Sequence, residues 1–187
     1  MNQNWIGLLL SFVFVFVTEV VWSQNSIQGT LRYDNIHQTP LAGIPVRLLN
    51  LAGLPVAFDT TNAQGQFLLQ DYPSSTYTFV AQIGYAWGGV NSTDALNAQR
   101  SFSGQQMFTS FRNRVADVNG NGVLNSTDAI QISRRVGLIS SSFAIGNFLW
   151  DPTVVVAQGV PIQRDFLVLC SGDINGSYQI SPTAPQL

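Results

Sequence analysis

The sequence has one cysteine, one histidine and little charge, and each scarcity removes a class of function. A lone cysteine, Cys170, forbids an intramolecular disulfide and every cysteine-rich metal site. Its neighbours "DFLVLC" alternate like a strand, so Cys170 reads as a small buried residue, not a reactive thiol. His37 stands in "DNIHQTP", a hairpin-loop composition, with no second histidine to share a zinc ion. It reads as a solvated loop residue, and zinc sites and histidine-based triads fall away with it. Charged residues make up 10% of the chain and the net charge is -2, so no basic field exists to attract nucleic acid or an anionic membrane.

Apolar sequence is plentiful at one place. Residues 6–17, "IGLLLSFVFVFV", form a nearly uninterrupted run followed by the more polar "TEVVWSQ". The run is shorter than the ~20 residues a membrane-spanning helix needs. Its position predicts a signal peptide over residues 1–23, with Val21 and Ser23 as small residues at the cleavage site and Gln24 as the mature start. The first residues carry no Lys or Arg, leaving the α-amino group as the positive charge. The expectation is a secreted or cell-surface protein with no membrane span after cleavage; the alternative is a buried element of the fold.

From Ser26 to Ile83 the chain reads as short strands, "SIQGTLRY", "IPVRLLN", "LPVAFDTT", "QFLLQ" and "TYTFVAQI", with "NAQGQ" and "DYPSS" as turns. A strand about every ten residues predicts an antiparallel β-sandwich over residues 24–83. The run from "GTLRYDN" through "TTNAQGQF" to "YPSSTYTF" resembles the prealbumin-like, carboxypeptidase-regulatory-like or Cna-B-like sandwiches of secreted bacterial proteins. That resemblance implies a structural spacer and no catalysis.

The stretch "ADVNGNGVLNSTDAIQISRR" carries the chemistry. Counting Asp117 as position 1 puts Asn119 at 3, Asn121 at 5, Gly122 at 6, Val123 at 7, Asn125 at 9 and Asp128 at 12. Calcium loops take oxygens from these positions, the backbone carbonyl serving at 7, with glycine at 6 for the sharp turn. After position 12, Ala129, Ile130, Ile132 and Val136 follow at helical spacing and Gly137 stops the run. Two carboxylates per loop predict weak binding, with a dissociation constant of ~10⁻⁴ M.

Position 12 is Asp, not the Glu of helix-loop-helix calcium sensors. The loop DxNxNGxxNxxD, followed by a helix with paired arginines, resembles a dockerin repeat, the calcium module that docks onto cohesin domains in bacterial extracellular complexes. The resemblance implies that Ser126 and Thr127, at positions 10 and 11, contact the partner together with Arg134.

Thirty-four residues upstream, "WGGVNSTDALNAQR" repeats only the second half of the loop: Gly88 aligns with Gly122, Asn91 with Asn125, Ser92 and Thr93 with Ser126 and Thr127, Asp94 with Asp128, and Arg100 with Arg134. Ile83, Tyr85 and Trp87 stand where the first three ligands belong. "GDINGSY" repeats only the first half, with Asp173 at 1, Asn175 at 3 and Ser177 at 5. The halves are complementary. The expected second calcium site is therefore split, with Asp173, Asn175 and Ser177 completing Gly89, Asn91 and Asp94 across residues 88–94 and 173–177. Asn91, Asn125 and Asn175 are also formal glycosylation sequons, read here as by-products of loop chemistry.

Between the loops, "NFLWDPTVVVAQG" and "IQRDFLVLC" read as strands. The fold expected is mixed: the antiparallel sandwich, then over residues 84–178 a dockerin-like α module with two loop-helix units and a few inserted strands, and a tail at 179–187. The function expected is non-catalytic attachment to a cohesin-like partner. A calcium-rigidified spacer of a surface protein is the first alternative. The second is a glycosidase fragment using Asp94, Asp117, Asp128 or Asp173 as acid and base.

Overall fold

The computed structural model describes residues 25–180, so the expected signal peptide and most of the tail lie outside the described residues. The first five strands are β1 (Asn25–Tyr33), β2 (Pro45–Leu49), β3 (Pro55–Thr60), β4 (Gln66–Tyr72) and β5 (Thr76–Ala81). Side chains alternate between the two faces of a strand. In β1 this buries Ile27, Leu31 and Tyr33, and in β5 it buries Tyr77, Phe79 and Ala81. Asn62 closes the turn before β4, its side-chain oxygen accepting from the N–H groups of Gln64 and Gln66. That turn carries the chain from one sheet to the other.

Three helices follow: α1 (Ser92–Phe102), α2 (Ser110–Ala116) and α3 (Ser126–Val136). α1 packs on α3 through the small faces of Ala95, Ala98 and Ala129 with Ile132, and Val118, Phe143 and Ile174 complete this smaller core. The helical spacing expected for α3 holds in part: Ala129 and Ile132 are buried, whereas Ile130 and Val136 face outward. α2 was not expected from the sequence. It is short, and Phe111 and Val115 seat it on the sandwich core.

The later strands are β6 (Phe148–Asp151), β7 (Val154–Val156), β8 (Ile162–Gln163) and β9 (Phe166–Cys170). Expected as insertions in the helical module, they instead join the sandwich. One sheet runs β4-β1-β9-β6 with β8 also paired to β1, and the other runs β3-β2-β5-β7. The physical reason is their apolar side chains: Val155, Phe166 and Val168 are fully buried in the core shared with Ile27, Leu31 and Phe79. β9 lies parallel to β1, pairing Leu31 with Phe166 and Tyr33 with Val168. Three residues past the end of β9 comes Asp173, so the sheet delivers this carboxylate to the helical half. No helix among the described residues is long and apolar enough to cross a membrane.

Candidate metal centre

Each long helix begins with a capping box. Asn91 caps α1 and Asn125 caps α3, and the carboxylates of Asp94 and Asp128 accept from the cap N–H groups at 2.9 and 3.0 Å. Capping satisfies donors that the first helical turn leaves unpaired. Positions 9 and 12 of each loop are thus fixed by helix formation itself.

In the contiguous loop, Asp117 gathers the backbone around it. Its Oδ1 accepts from the N–H groups of Gly120 and Asn121, and its Oδ2 from that of Gly122 at 2.8 Å. Asn119 accepts from the Asn121 N–H at 3.0 Å, and its side-chain amide reaches Asp128 Oδ1 at 2.8 Å. Gly122 has open space around it and a φ of +82°, so it is the turn's backbone, not crowding, that favours glycine there.

The split loop reproduces most of these bonds. Asp173 Oδ1 accepts from the Ser177 N–H at 2.9 Å as Asp117 does from Asn121, and Asp173 Oδ2 accepts from the Tyr178 N–H at 3.1 Å as Asp117 does from Gly122. Asn175 Oδ1 accepts from the Ser177 N–H at 2.9 Å. The Asn175 N–H donates to Asp94 Oδ1 at 3.1 Å, matching Asn119 on Asp128 at 3.3 Å. Asn91 donates to the Gly89 carbonyl and Asn125 to the Val123 carbonyl, both at 3.1 Å. Ser177 Oγ closes the seam, donating to the Gly89 carbonyl at 2.8 Å. Asp173, Asn175 and Ser177 therefore meet Gly89, Asn91 and Asp94 in one loop assembled from two pieces of chain.

The seam demands glycine. A Cβ on Gly89 would lie 2.4 Å from the Tyr178 Cβ and 2.6 Å from Asp173 Oδ2, and one on Gly88 would lie 2.7 Å from the Tyr178 ring. Counted from Asp173, Tyr178 falls at position 6, the place that Gly88 takes when the loop is counted back from Asp94.

Residues that sequence reasoning passed over hold the assembly. Tyr33 Oη donates to Asp173 Oδ2 at 2.6 Å, and Trp87 Nε1 donates to the Ser171 carbonyl at 3.0 Å. Arg112 pairs with Asp34 at 2.7 Å and donates to the Ile174 carbonyl. Arg135 is buried, its guanidinium 3.6 Å from the Trp87 ring centroid and 4.4 Å from that of Phe143. Only tertiary pairing brings these groups together; of them, the strand alternation that buries Tyr33 was the sole available signal. Cys170 is fully buried as expected, and burial pushes its thiol up to about 12.

The expected contact residues divide by exposure. Ser92, Thr93, Arg100, Thr127 and Arg134 are exposed and Ser126 is half-buried. Between α1 and α3 an open groove is lined by Ser92, Leu96, Gln99, Ile130, Ser133 and Arg134.

Residues 88–137 match the family model of the dockerin type I domain. The match supports a dockerin-like module in this part of the chain. Dockerin type I domains bind calcium, bind cohesin domains, occur in extracellular and cell-surface proteins and are not themselves catalytic. The matched stretch opens at Gly88, halfway through the first loop, and stops well short of Asp173. No curated protein matches the chain. Among solved structures, a crystal structure of a 9R-lipoxygenase from Cyanothece PCC8801 is similar at 16% identity over 41% of this chain, with a TM-score of 0.24. The chain covers 13% of that structure's length, and a likeness at this level carries no argument.

The donor set suits the metal. Side-chain and carbonyl oxygens stand at every liganding position of both loops, with two carboxylates in each, and hard oxygen donors of this kind are what calcium selects. Burial pushes the Asp94 carboxyl up to about 6, with neighbouring Asp173 adding to the rise while the N–H groups of Asn91 and Asn175 oppose it. Burial likewise raises Asp128.

A pH dependence follows. Asp94 titrates near its ordinary 3.8 in the unfolded chain and about 6 in the folded, metal-free one, so between these values the folded state holds more protons. Its contribution to metal-free stability is present at pH 4 and is lost as pH rises through 6. Calcium needs the ionised carboxylate, so its stabilising effect should run the other way and grow between pH 5 and pH 7. Thermal melts at pH 5, 6 and 7, after metal removal and again in calcium, check both signs. An equal calcium increment at pH 5 and pH 7 would count against Asp94 as a ligand.

Proposed function

We propose that the chain is a secreted, non-catalytic attachment module that binds two calcium ions and presents α1 and α3 to a cohesin-like partner. The first ion is held by Asp117, Asn119, Asn121, the Val123 carbonyl, Asn125 and Asp128. The second is held by Asp173, Asn175, Ser177, the Gly89 carbonyl, Asn91 and Asp94. Calcium locks the start of each helix, and each helix then offers the same set at its surface: Ser92, Thr93 and Arg100 on one, Ser126, Thr127 and Arg134 on the other.

The observation that carries this reading is the hydrogen-bond pattern the two loops share at positions 1, 3, 9 and 12, with α1 and α3 starting from matching capping boxes and packed together. Two equivalent helices allow a partner to dock in either of two orientations. Changing Ser92 and Thr93 to alanine is therefore expected to leave capture by a purified type I cohesin domain largely intact, and so is changing Ser126 and Thr127. Changing all four should abolish it, as should calcium removal. Unaltered capture by the fourfold variant would remove these residues from the contact.

The spacer alternative draws on a specific observation: Arg112 and Tyr33 tie the sandwich to the helical half, as a rigid rod would need. It predicts calcium-dependent stiffening with no capture at all. The enzymatic alternative fits less well, because Asp94, Asp128 and Asp173 are fully buried and accept backbone N–H groups instead of facing a substrate.

A further inference from the structure

The two loops hold their first carboxylate differently. Asp117 accepts only from backbone N–H groups of its own loop, those of Gly120, Asn121 and Gly122. Asp173 accepts in addition from a side chain 140 residues away, the hydroxyl of Tyr33 at the end of β1. Tyr33 is itself fully buried, and its oxygen accepts from the Cys170 N–H at 2.9 Å while donating to Asp173. Its ring meets Tyr178 edge to face, with centroids 5.8 Å apart, and the Tyr178 N–H donates to the same carboxylate oxygen. Asp173 Oδ2 is thus held from two sides.

We propose that Tyr33 is a positioning residue for the split calcium site, so that the β-sandwich, and not the loop alone, sets the affinity of one of the two sites. The inference rests on the two-site reading above. In the contiguous loop only the loop's own backbone orients the first carboxylate. In the split loop Asp173, three residues past β9, accepts from the Ser177 and Tyr178 N–H groups of its own segment and is held from outside as well, by the Tyr33 hydroxyl. A phenol donates a hydrogen bond at neutral pH and accepts one, so a single group aligns the carboxylate and registers it against the last backbone amide of β9. Partners that orient a metal ligand typically change metal affinity about 10- to 100-fold when removed. The consequence is a module with one autonomous site, at residues 117–128, and one conditional on the sandwich.

The test is calcium calorimetry on the full mature chain. In wild type, two ions are expected. Tyr33→Phe keeps the ring and removes only the hydroxyl, and should weaken one site about 10-fold or more while leaving the other unchanged. Adding Asp117→Ala should leave the weakened site alone in view. Tyr72→Phe is the control: Tyr72 is another buried sandwich tyrosine whose hydroxyl has no hydrogen-bond partner among the described residues, and it should move neither site. Two unchanged affinities in Tyr33→Phe, or equal weakening of both, would overturn the proposal while leaving the two-site reading standing. A wild-type chain that binds one ion, and none after Asp117→Ala, would instead overturn the split site itself and the proposal with it.

A second measurement does not depend on the variant folding. Saturating calcium should slow hydrogen exchange at the Cys170 amide in wild type and in Asp117→Ala, but not in Asp173→Ala. Exchange at Cys170 that ignores calcium would also overturn the proposal.

Discussion

Asp173→Ala is expected to reduce the calcium stoichiometry of the chain from two to one and to leave the site at residues 117–128 at its original affinity. The side chain is fully buried and stands at position 1 of a loop whose position 12, Asp94, is also buried. Two carboxylates in one dehydrated place repel each other, and a divalent cation between them turns that cost into attraction. Removing one leaves four neutral oxygen donors and a single carboxylate, and calcium affinity scales with the charge of its ligands. The hydroxyl of Tyr33 and the N–H of Tyr178 also lose their acceptor, at roughly 1–3 kcal/mol for each buried group left unsatisfied. The metal-free variant should therefore melt lower than wild type, and calcium should restore less of the difference. Asp117→Ala is the mirror experiment and should delete the other site. Two ions bound by the Asp173→Ala chain would break the assignment of the split loop.

What was legible in the sequence was whatever is local. Asp117 to Asp128 lie within one loop, and their spacing alone sets the oxygens, the glycine turn and the helix start that the structure arranges there. β1 to β5 were legible for a related reason, since alternation within a strand and the turn chemistry of "NAQG" depend on near neighbours. The complementary halves at 88–94 and 173–177 could be aligned on paper, but what brings them together is the parallel pairing of β9 with β1, set by burial of Phe166 and Val168 and carrying no motif. α2 was illegible because seven residues are too few for a helical period to stand out, and Phe111 and Val115 declare their face only once the sandwich is present. Tyr33 was illegible as a site residue because its signal, an aromatic at an inward strand position, is the signal of any core residue. What distinguishes it is its hydroxyl, bonded to Asp173 at 2.6 Å and to the Cys170 N–H at 2.9 Å.

Phe166→Ala should cost about 3–5 kcal/mol of folding stability, the range for truncating a fully buried phenylalanine. Phe166 opens β9 with no exposed surface; its ring stacks on Phe79 of β5 at 3.8 Å between centroids and meets Phe67 of β4 at 5.7 Å. It therefore joins both sheets. Domains of this size are typically stable by only about 5–15 kcal/mol, so the variant should be marginal without metal. Calcium binds the folded state, and at a hundredfold excess over its dissociation constant each site adds about 2.7 kcal/mol. Urea unfolding of Phe166→Ala with and without calcium should thus show a deficit that calcium partly offsets. The offset should shrink when Asp173→Ala is added, since β9 and the split loop are consecutive in the chain. Leu68→Ala, on the outer face of β4 and partly exposed, should change stability by less than about 1 kcal/mol. A loss that small at Phe166 would mean that β9 does not share the sandwich core, and with it would go the route by which Asp173 reaches the first helix.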